Sequence, residues 1–332
     1  MVNDVDKGIS TKAYLLERLR ANRNTLISGE VLAKELAVSR VAVWKAVQVL
    51  KKVGYSVAVE EGGYRLAGNE EDFLYPWEFG DREKFFRYWV STDSTMNRAK
   101  ELAQKESPSG TVIAAETQTA GRGRNGRIWV SNPGGLFFTL LVRPGCTVRE
   151  YFFYIMAVHI AVAGTISALC GKEARLRWPN DVYIGDKKIG GILSEFHGEG
   201  DCVTWLNLGV GVNINNRTLT PESVSCLDLL GHPLSRKAVL VQFLENLARI
   251  QKSAPTPGEL TKEWNRNALG RGRQVLIIPG NHVRRGVSRT DPAPGESRGR
   301  FWGIDPSGRG IIKTPAGIIR ISPASASLYF VK

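Results

Sequence analysis

A glycine- and arginine-rich segment in the middle of the chain constrains the fold more than any other part of the sequence. Residues 118–129 read QTAGRGRNGRIW and contain the pattern G-x-G-x-x-G. In a dinucleotide-binding unit such glycines open a helix, and an acidic residue follows about 20 positions later. Here the strand-like runs Ile128–Val130 and Leu136–Val142 follow, a Pro-Gly-Gly turn separates them, and the first acid is Glu150. The segment therefore predicts a loop between strands and excludes a Rossmann domain.

The three arginines of this loop make it a candidate for binding anions. Glycine lets the backbone approach a ligand closely, and Arg122, Arg124 and Arg127 each offer paired donors to a carboxylate or a phosphate. A solvated basic loop is the alternative. We interpret the segment as a flexible, cationic clamp.

Two further clusters lie downstream of the loop. Residues 177–181 read RWPND and precede a predicted hairpin with strand 182–184, a turn at 185–186, and Lys188 at the start of the second strand. Asp181 and Lys188 are expected to approach one another across this hairpin, either as a structural ion pair or as part of a site. Residues 208–215 read LGVGVNIN, an apolar strand that ends in glycines and amides. Such an end suits adenine or ribose recognition, and a simple strand cap is the alternative.

The first 68 residues predict a winged helix-turn-helix. Helical spacing covers 10–22, 29–36 with Ser28 as N-cap, and about 39–52, and an alternating hairpin with a Gly-Gly turn follows at 55–66. The third helix is the predicted recognition helix, with Lys51 and Lys52 available for phosphates. A three-helix module for protein contacts is the alternative, and the acidic wing tip, Glu60 and Glu61, weakly favours it. The DNA-binding candidates are Gly29, Ser39, Arg40, Trp44, Lys45 and Gln48.

The positive charge of the chain is concentrated at its two ends, and the middle is nearly neutral. The total is +13, distributed as +4 over residues 1–68, +1 over 69–270 and +8 over 271–332. The four cysteines include no C-x-x-C pair, which excludes a zinc ribbon or a disulfide scaffold and favours a reducing compartment. The N-terminal residues contain no apolar signal segment, so we expect a cytoplasmic protein.

One segment, 151–170, has no formal charge over twenty residues and is long enough to cross a bilayer. His159, Gly164, Thr165 and Ser167 interrupt it, and Gly171 is a natural helix end. We therefore expect a buried core helix and no membrane span.

Four regions follow from these patterns. We expect a DNA-binding domain at 1–68, an acidic linker at 69–80, an α/β domain at 81–268 and a small β domain at 269–332. In the last region a basic stretch, His282–Arg300, is predicted to form a long hairpin loop.

The clusters, in this order and behind a winged helix, resemble the bifunctional biotin protein ligase / biotin operon repressor family. The resemblance rests on Asp93-Ser94-Thr95, the G-R-G-R-x-G-R-x-W loop, the W-P-N-D hairpin with its K-x-x-G, and the G-x-G-x-N strand, and it spans nearly the whole chain. It implies an α+β multidomain fold: an N-terminal winged helix-turn-helix, a central mixed α/β domain of the biotin/lipoate ligase type and a small C-terminal SH3-like β-barrel. Met96 stands where the family commonly has Asn, and Arg177 replaces a frequent Lys.

The resemblance also implies an activity in two steps. Biotin and ATP, with Mg²⁺, give biotinyl-5′-AMP, and a lysine of a biotin carboxyl carrier protein then accepts the biotin. The same protein would bind operator DNA as a ligand-promoted homodimer. The alternatives are a DNA-binding biotin sensor without ligase activity and a lipoate ligase. The intact Arg122, Arg124 and Lys188 argue against the first, and the loop and the winged helix argue against the second.

The family pattern assigns roles to the matching positions. Catalysis would depend on Lys188, Arg124 and Asp181, with Asp181 orienting Lys188. ATP would contact Arg122, Arg127 and Asn213. Biotin would contact Ser94, Thr95, Met96, Gln118, Arg122, Gly123, Arg124, Lys188 and Gly191. The ligands of the magnesium ion are left unassigned.

Overall fold

The structure, a computed structural model, describes residues 9–23, 25–68, 72–217, 220–279, 297–323 and 325–331. The chain divides into two compact units, Met1–Tyr88 and Trp89–Lys332. Most of the basic stretch predicted as a long hairpin loop, residues 282–296, lies outside the described residues.

The first unit contains the predicted three helices and hairpin. A serine side chain caps each helix: Ser10, Ser28 and Ser39 accept hydrogen bonds from the backbone N–H of the residue three positions on. The elements are α1 (Thr11–Ala21), α2 (Gly29–Glu35), α3 (Arg40–Lys52), β1 (Val57–Glu60) and β2 (Gly63–Leu66). The last two pair in antiparallel register, so the helix-turn-helix with its hairpin is confirmed.

Part of the segment that we interpreted as a linker packs on the core of this unit. The buried carboxylate of Glu78 accepts hydrogen bonds from both terminal guanidinium nitrogens of Arg20, at 2.9 and 2.8 Å, and from the Tyr55 hydroxyl at 2.6 Å. A 3₁₀ helix covers Pro76–Phe85. The aromatic residues that pack on the core alternate along the segment: Phe73, Tyr75 and Trp77. These alternating aromatic side chains anchor the segment on the core, and the 3₁₀ helix begins within it.

The remaining strands and helices follow in chain order. They are β3 (Phe86–Thr92), α4 (Thr95–Gln104), β4 (Thr111–Gln118), β5 (Leu136–Val142), α5 (Phe152–Cys170), β6 (Ala174–Arg177), β7 (Asp181–Ile184), β8 (Lys187–Glu199), β9 (Cys202–Val212), α6 (Cys226–Leu230), α7 (Arg236–Lys252), α8 (Pro257–Arg266), β10 (Gln274–Pro279), β11 (Ser297–Ile304), β12 (Gly310–Thr314), β13 (Gly317–Ile321) and β14 (Ala326–Phe330). The larger sheet has the order β3-β4-β5-β9-β8-β7-β6, and the smaller one β13-β12-β11-β10-β14.

The centre of the larger sheet is apolar on both faces. Every residue of β5 is buried, and α5 packs against β6, α7 and α8. By length and composition α5 is apolar enough to cross a membrane, but most of it is buried inside the protein. Its apolar character is therefore that of a core helix, as predicted.

One predicted strand is wrong. Ile128–Val130 forms no strand; only isolated bridges occur there, Arg122 with Ile128 and Gln118 with Ser131. The loop folds back on itself instead, because the Trp129 N–H donates to the Gly121 carbonyl at 2.9 Å and leaves Ile128 80% exposed.

The smaller sheet follows α8 along the chain and packs on the domain that contains the larger sheet. The five strands pair in antiparallel fashion around a core that includes Phe301 and Ile312. The indole N–H of Trp178 donates to the Gly308 carbonyl at 3.0 Å, and the Asn265 side chain bonds the backbone of Ile304. The C-terminal β region predicted from the sequence is thus present.

Candidate active site

A cavity of about 190 Å³ lies where α4, β4, the glycine–arginine loop, the β7–β8 hairpin and β9 converge. All three sequence clusters therefore meet at one place. Its walls comprise Ser94, Thr95, Met96, Gln118, Arg122, Gly123, Arg124, Arg127, Ile128, Trp129, Phe138, Asn180, Asp181, Lys188, Gly191, Ile192, Leu193, Gly209, Val210 and Gly211.

The N-terminus of α4 supplies a polar wall. Ser94 caps the helix, and the backbone N–H and hydroxyl of Thr95 donate to Gln118 Oε1 at 2.8 and 3.1 Å. The Gln118 side-chain nitrogen donates in turn to the Ser131 hydroxyl at 2.8 Å. Beside them, Asp93 accepts a hydrogen bond from Asn97, and this contact lowers the pKa of Asp93 to about 2. These side chains are fixed before any ligand arrives.

The β7–β8 hairpin supplies a cation. Lys188 Nζ lies 2.6 Å from Asp181 Oδ1, which confirms the predicted approach across the hairpin. Backbone bonds on both sides of Lys188 hold its strand, since its N–H donates to the Glu222 carbonyl and its carbonyl accepts from Val224. The ammonium also lies 5.2 Å from the centre of the Trp129 ring. The lysine is therefore oriented by an acid and an indole.

Glycines form the slot that receives Trp129. Gly191 and Gly211 are partners across β8 and β9. A Cβ at Gly211 would lie 2.6 Å from the Trp129 ring, and one at Gly191 would lie 3.2 Å from it. Two residues earlier on β9, a Cβ at Gly209 would meet the Met96 sulfur at 2.6 Å. A side chain at any of these three positions would collide with Trp129 or Met96. Glycine is therefore required there to leave room for the cavity wall.

The loop arginines occupy different places. The guanidinium of Arg124 is half-buried and donates to the Pro323 carbonyl of the smaller sheet region at 2.6 Å. Burial lowers the pKa of Arg124, and the neighbouring charge of Arg127 adds to this effect. Arg122 pairs with Glu195 and donates to Asn97 at 2.9 Å. All three arginines still line the cavity.

A second cavity, of about 200 Å³, adjoins the first. Lys188 lines both, and so do Ile128 and Trp129. Asn213 also lines the second cavity, with its amide bonded to the Val224 carbonyl at 3.3 Å and to Asn216 at 3.0 Å. Lys188 therefore stands at the junction between the two cavities.

Sequence reasoning missed several wall residues. Two buried polar atoms at the cavity have no hydrogen-bond partner among the residues that the structure describes: the indole N–H of Trp129 and Asn180 Oδ1. Trp129 belonged to the loop motif and Asn180 to the hairpin motif, but neither was predicted to contact a ligand. The alternating glycines of β9 were the available signal, since glycine on one face of a buried strand indicates a close approach.

The recognition helix presents its predicted residues to the solvent. Arg40, Trp44 and Lys45 on α3 are exposed, Gln48 is half-buried, and Ser39 caps the helix. Gly29 opens α2 beneath the Tyr64 ring, where a Cβ would lie 3.2 Å away. Buried apolar residues fill the opposite face of α3.

No cluster of three or more His, Cys, Asp or Glu suited to a metal ion occurs among the described residues. Mg²⁺ commonly keeps its waters and binds through one or two carboxylates together with substrate phosphates. The donor set therefore does not fit a resident ion held by the protein alone.

The comparisons with known proteins agree with this geometry. Residues 88–213 match the model of the Biotin/lipoate A/B protein ligase family, and residues 11–65 match an HTH domain. The chain is 30% identical over 329 residues to a bifunctional ligase/repressor of Bacillus spizizenii, covering 95% of this chain and 97% of the relative. It is 35% identical over 240 residues to a biotin–[acetyl-CoA-carboxylase] ligase of Paracoccus denitrificans, covering 68% and 93%.

A solved structure points the same way. The biotin protein ligase from Aquifex aeolicus, in complex with biotin and ATP, aligns with a TM-score of 0.60 and 26% identity, covering 74% of this chain and 98% of that one. Fold and site together define a ligase domain that follows a helix-turn-helix domain along the chain. The chain belongs to the biotin/lipoate A/B protein ligase family, in its branch of bifunctional ligase/repressors.

Proposed function

We propose that this protein is an ATP-dependent biotin protein ligase that also represses transcription in response to biotin. A carboxylate oxygen of biotin attacks the α-phosphorus of ATP, and pyrophosphate leaves. The amine of a lysine on a biotin carboxyl carrier protein then attacks the acyl carbon of biotinyl-AMP. AMP leaves, and the amine gives up a proton as the amide forms.

The observation that carries this proposal is the position of Lys188. It lines both cavities, so it lies where the carboxylate of one ligand and the phosphate of the other would meet. Both reactants are anions, and their approach requires compensating positive charge more than a protein nucleophile. The wall residues of the first cavity include neither His nor Cys, in agreement with chemistry in which the nucleophiles belong to the substrates.

Biotin would occupy the first cavity. Ser94, Thr95 and Gln118 would meet its polar ring, with Met96 and Gly191 beside it. The unpartnered Trp129 N–H and Asn180 Oδ1 offer a further donor and acceptor. Arg122, Gly123 and Arg124 would cover the ligand from the loop. Asp181 would orient Lys188 through their 2.6 Å contact.

ATP would extend into the second cavity, with Asn213 near the adenine and Arg122 and Arg127 near the phosphates. We propose that magnesium arrives as the complex of ATP, as part of the substrate. An ion that arrives with substrate phosphates needs only one or two carboxylates from the protein.

The repressor function would use α3 on operator DNA. Arg40, Trp44, Lys45 and Gln48 would face the major groove, with Gly29 and Ser39 near the phosphates. We propose that biotinyl-AMP promotes a homodimer by ordering the glycine–arginine loop, and that the protein acts in the cytoplasm. We also propose three domains, 1–68, 81–268 and 269–332, with residues 69–80 as the linker between the first and the second. For the antiparallel C-terminal sheet we propose an SH3-like barrel.

The first half-reaction tests the ligase assignment. Biotin should support exchange of labelled pyrophosphate into ATP without any carrier protein, and lipoate should not. A protein that binds biotin and operator DNA but shows no exchange would be a sensor without ligase activity.

A further inference from the structure

The C-terminal sheet carries a cluster of cations around an exposed tryptophan. The ammonium of Lys313 lies 3.5 Å from the centre of the Trp302 ring, and the guanidinium of Arg271 lies 5.5 Å from it. Trp302 is 39% exposed. A single indole thus holds two like charges near each other through cation–π contacts.

A third cation stands directly opposite one of these two. Arg300 on β11 and Lys313 on β12 are Cα partners in the antiparallel pair. Like charges facing one another across strands destabilise a sheet. Both side chains are exposed, and Ile318, 56% exposed, follows as the partner of Lys313 on β13. The arrangement costs stability in the free protein, and a bound anion would reverse that cost.

Among the described residues, these cations have no acidic partners of their own. Within the part of the chain that the structure describes, Arg271, Arg300 and Lys313 form no ion pair, and Arg300 donates only to the Gly272 carbonyl. By contrast, Arg309 and Arg320 share the carboxylate of Asp305. The region 271–332 has 11 basic and 3 acidic side chains, so its field attracts a polyanion at long range.

We propose that the surface formed by Arg271, Arg300, Trp302 and Lys313 binds the phosphodiester backbone of duplex DNA without reading its sequence. Closely spaced Lys and Arg heads suit adjacent phosphates, and each contact releases counterions from the duplex. An acidic protein could offer carboxylates to the same cations, but its charge density is lower than that of DNA. None of these four residues belongs to the recognition helix or lines either of the two cavities.

Salt dependence of DNA binding tests the proposal in the full chain. All variants carry Arg40→Ala and Lys45→Ala, which remove DNA binding by the recognition helix. The DNA binding that remains then reports on the C-terminal surface, whether or not the recognition helix binds DNA in the native protein. The test variant adds Arg271→Gln, Arg300→Gln and Lys313→Gln. The control instead adds Lys100→Gln, Lys105→Gln and Lys172→Gln, which removes the same charge from exposed positions of the ligase domain. The probe is a fluorescent duplex of arbitrary sequence.

The slope of log K against log salt should fall by about 2.7 in the test variant, at about 0.9 for each lost phosphate contact. The control should leave the slope unchanged. Trp302→Leu keeps the net charge but removes the cation–π contacts, and it should weaken binding about two- to fivefold. Equal effects of both triple variants, or no effect of the test variant, would overturn the proposal. So would a raised KM for the carrier protein with DNA binding intact, which would assign the surface to an acidic protein.

Discussion

Lys188 and Asp181 lie on facing strands of one short hairpin, with the lysine ammonium 2.6 Å from the carboxylate. The two side chains are 25% and 18% exposed, so water screens their charges only in part. Asp181 also lies on the side of Gly191 that faces Trp129. The ion pair therefore holds the Lys188 ammonium in place, and Lys188 lines both cavities.

The first prediction follows from this pair. Lys188→Ala should keep its fold but form biotinyl-AMP at least about a hundredfold more slowly, because loss of one charge-stabilising donor costs roughly 10²–10³ in rate. Biotin-dependent pyrophosphate release measures this step. Lys187→Ala is the matched control, since Lys187 is the exposed neighbour in the same turn. A near-native rate for Lys188→Ala would remove this lysine from the mechanism.

Arg124 should retain the reactive intermediate. Arg124→Gly removes a half-buried guanidinium from the cavity wall, so biotinyl-AMP should escape about ten- to hundredfold more readily, the usual range for a lost charged hydrogen bond. Labelling of a bystander protein by radioactive biotin measures the escape. Asn125→Gly softens the same loop at a residue with φ of 56° without removing a charge. Unlabelled bystanders together with a fully modified carrier would refute the retention role.

The glycine slot should control biotin affinity. Gly211→Ala would place a Cβ 2.6 Å from the Trp129 ring, and the displaced indole should weaken biotin binding about tenfold or more. Gly164→Ala in α5 is the control, because nothing lies within 4 Å of its Cβ position. Titration calorimetry with biotin compares the two. Unchanged affinity in Gly211→Ala would show that the slot does not shape the site.

Buried His159 should make folding stability depend on pH. Its Nδ1 accepts a hydrogen bond from the Trp264 indole at 3.2 Å, and burial lowers the pKa of His159 to about 4. The unfolded state therefore takes up a proton near pH 6.5 that the folded state refuses. The contribution of neutral His159 to the free energy of unfolding is fully present above pH 6.5. It is lost as the pH falls towards 4, by roughly 3 kcal/mol in all.

Urea unfolding at pH 7 and pH 5 measures this effect. His159→Gln keeps an acceptor for Trp264 but does not titrate, so it should lose less stability between the two pH values than the native protein. His232 is exposed, and His232→Gln should behave like the native protein. Parallel pH profiles for all three would contradict the assignment.

The recognition helix should serve repression alone. Arg40→Ala with Lys45→Ala should abolish operator binding and leave ligation intact, because both side chains are exposed on α3.

Biotinyl-AMP, more than biotin, should promote dimers and operator binding, since a ligand shifts an equilibrium only by its differential affinity for the two states. Sedimentation and gel shifts on the protein's own upstream region measure both. The same oligomeric state with and without biotinyl-AMP would make the N-terminal domain non-regulatory.

Local signals predicted much of the fold. Serine caps and apolar spacing predicted α1, α2 and α3 to within a residue or two at each end, and the apolar run Leu136–Val142 predicted β5. The error at Ile128–Val130 arose because three apolar residues in a row also fit a loop that partly buries its middle side chain, Trp129, and exposes the other two.

Long-range register could not be predicted in the same way. The slot around Trp129 exists because β8 and β9 pair Gly191 with Gly211, and a local pattern does not specify that pairing. The contact of Arg124 with the Pro323 carbonyl joins residues 199 positions apart. The Asp181–Lys188 contact was predictable because a short hairpin limits the possible registers.

Transfer of label to a carrier protein is the decisive measurement for the proposed ligase activity. The protein is incubated with ATP and an apo biotin carboxyl carrier domain, once with labelled biotin and once with labelled lipoate. The proposed ligase activity predicts ATP-dependent label on the carrier lysine from biotin alone, and none when that lysine is replaced by arginine. Label from lipoate but not from biotin would contradict it.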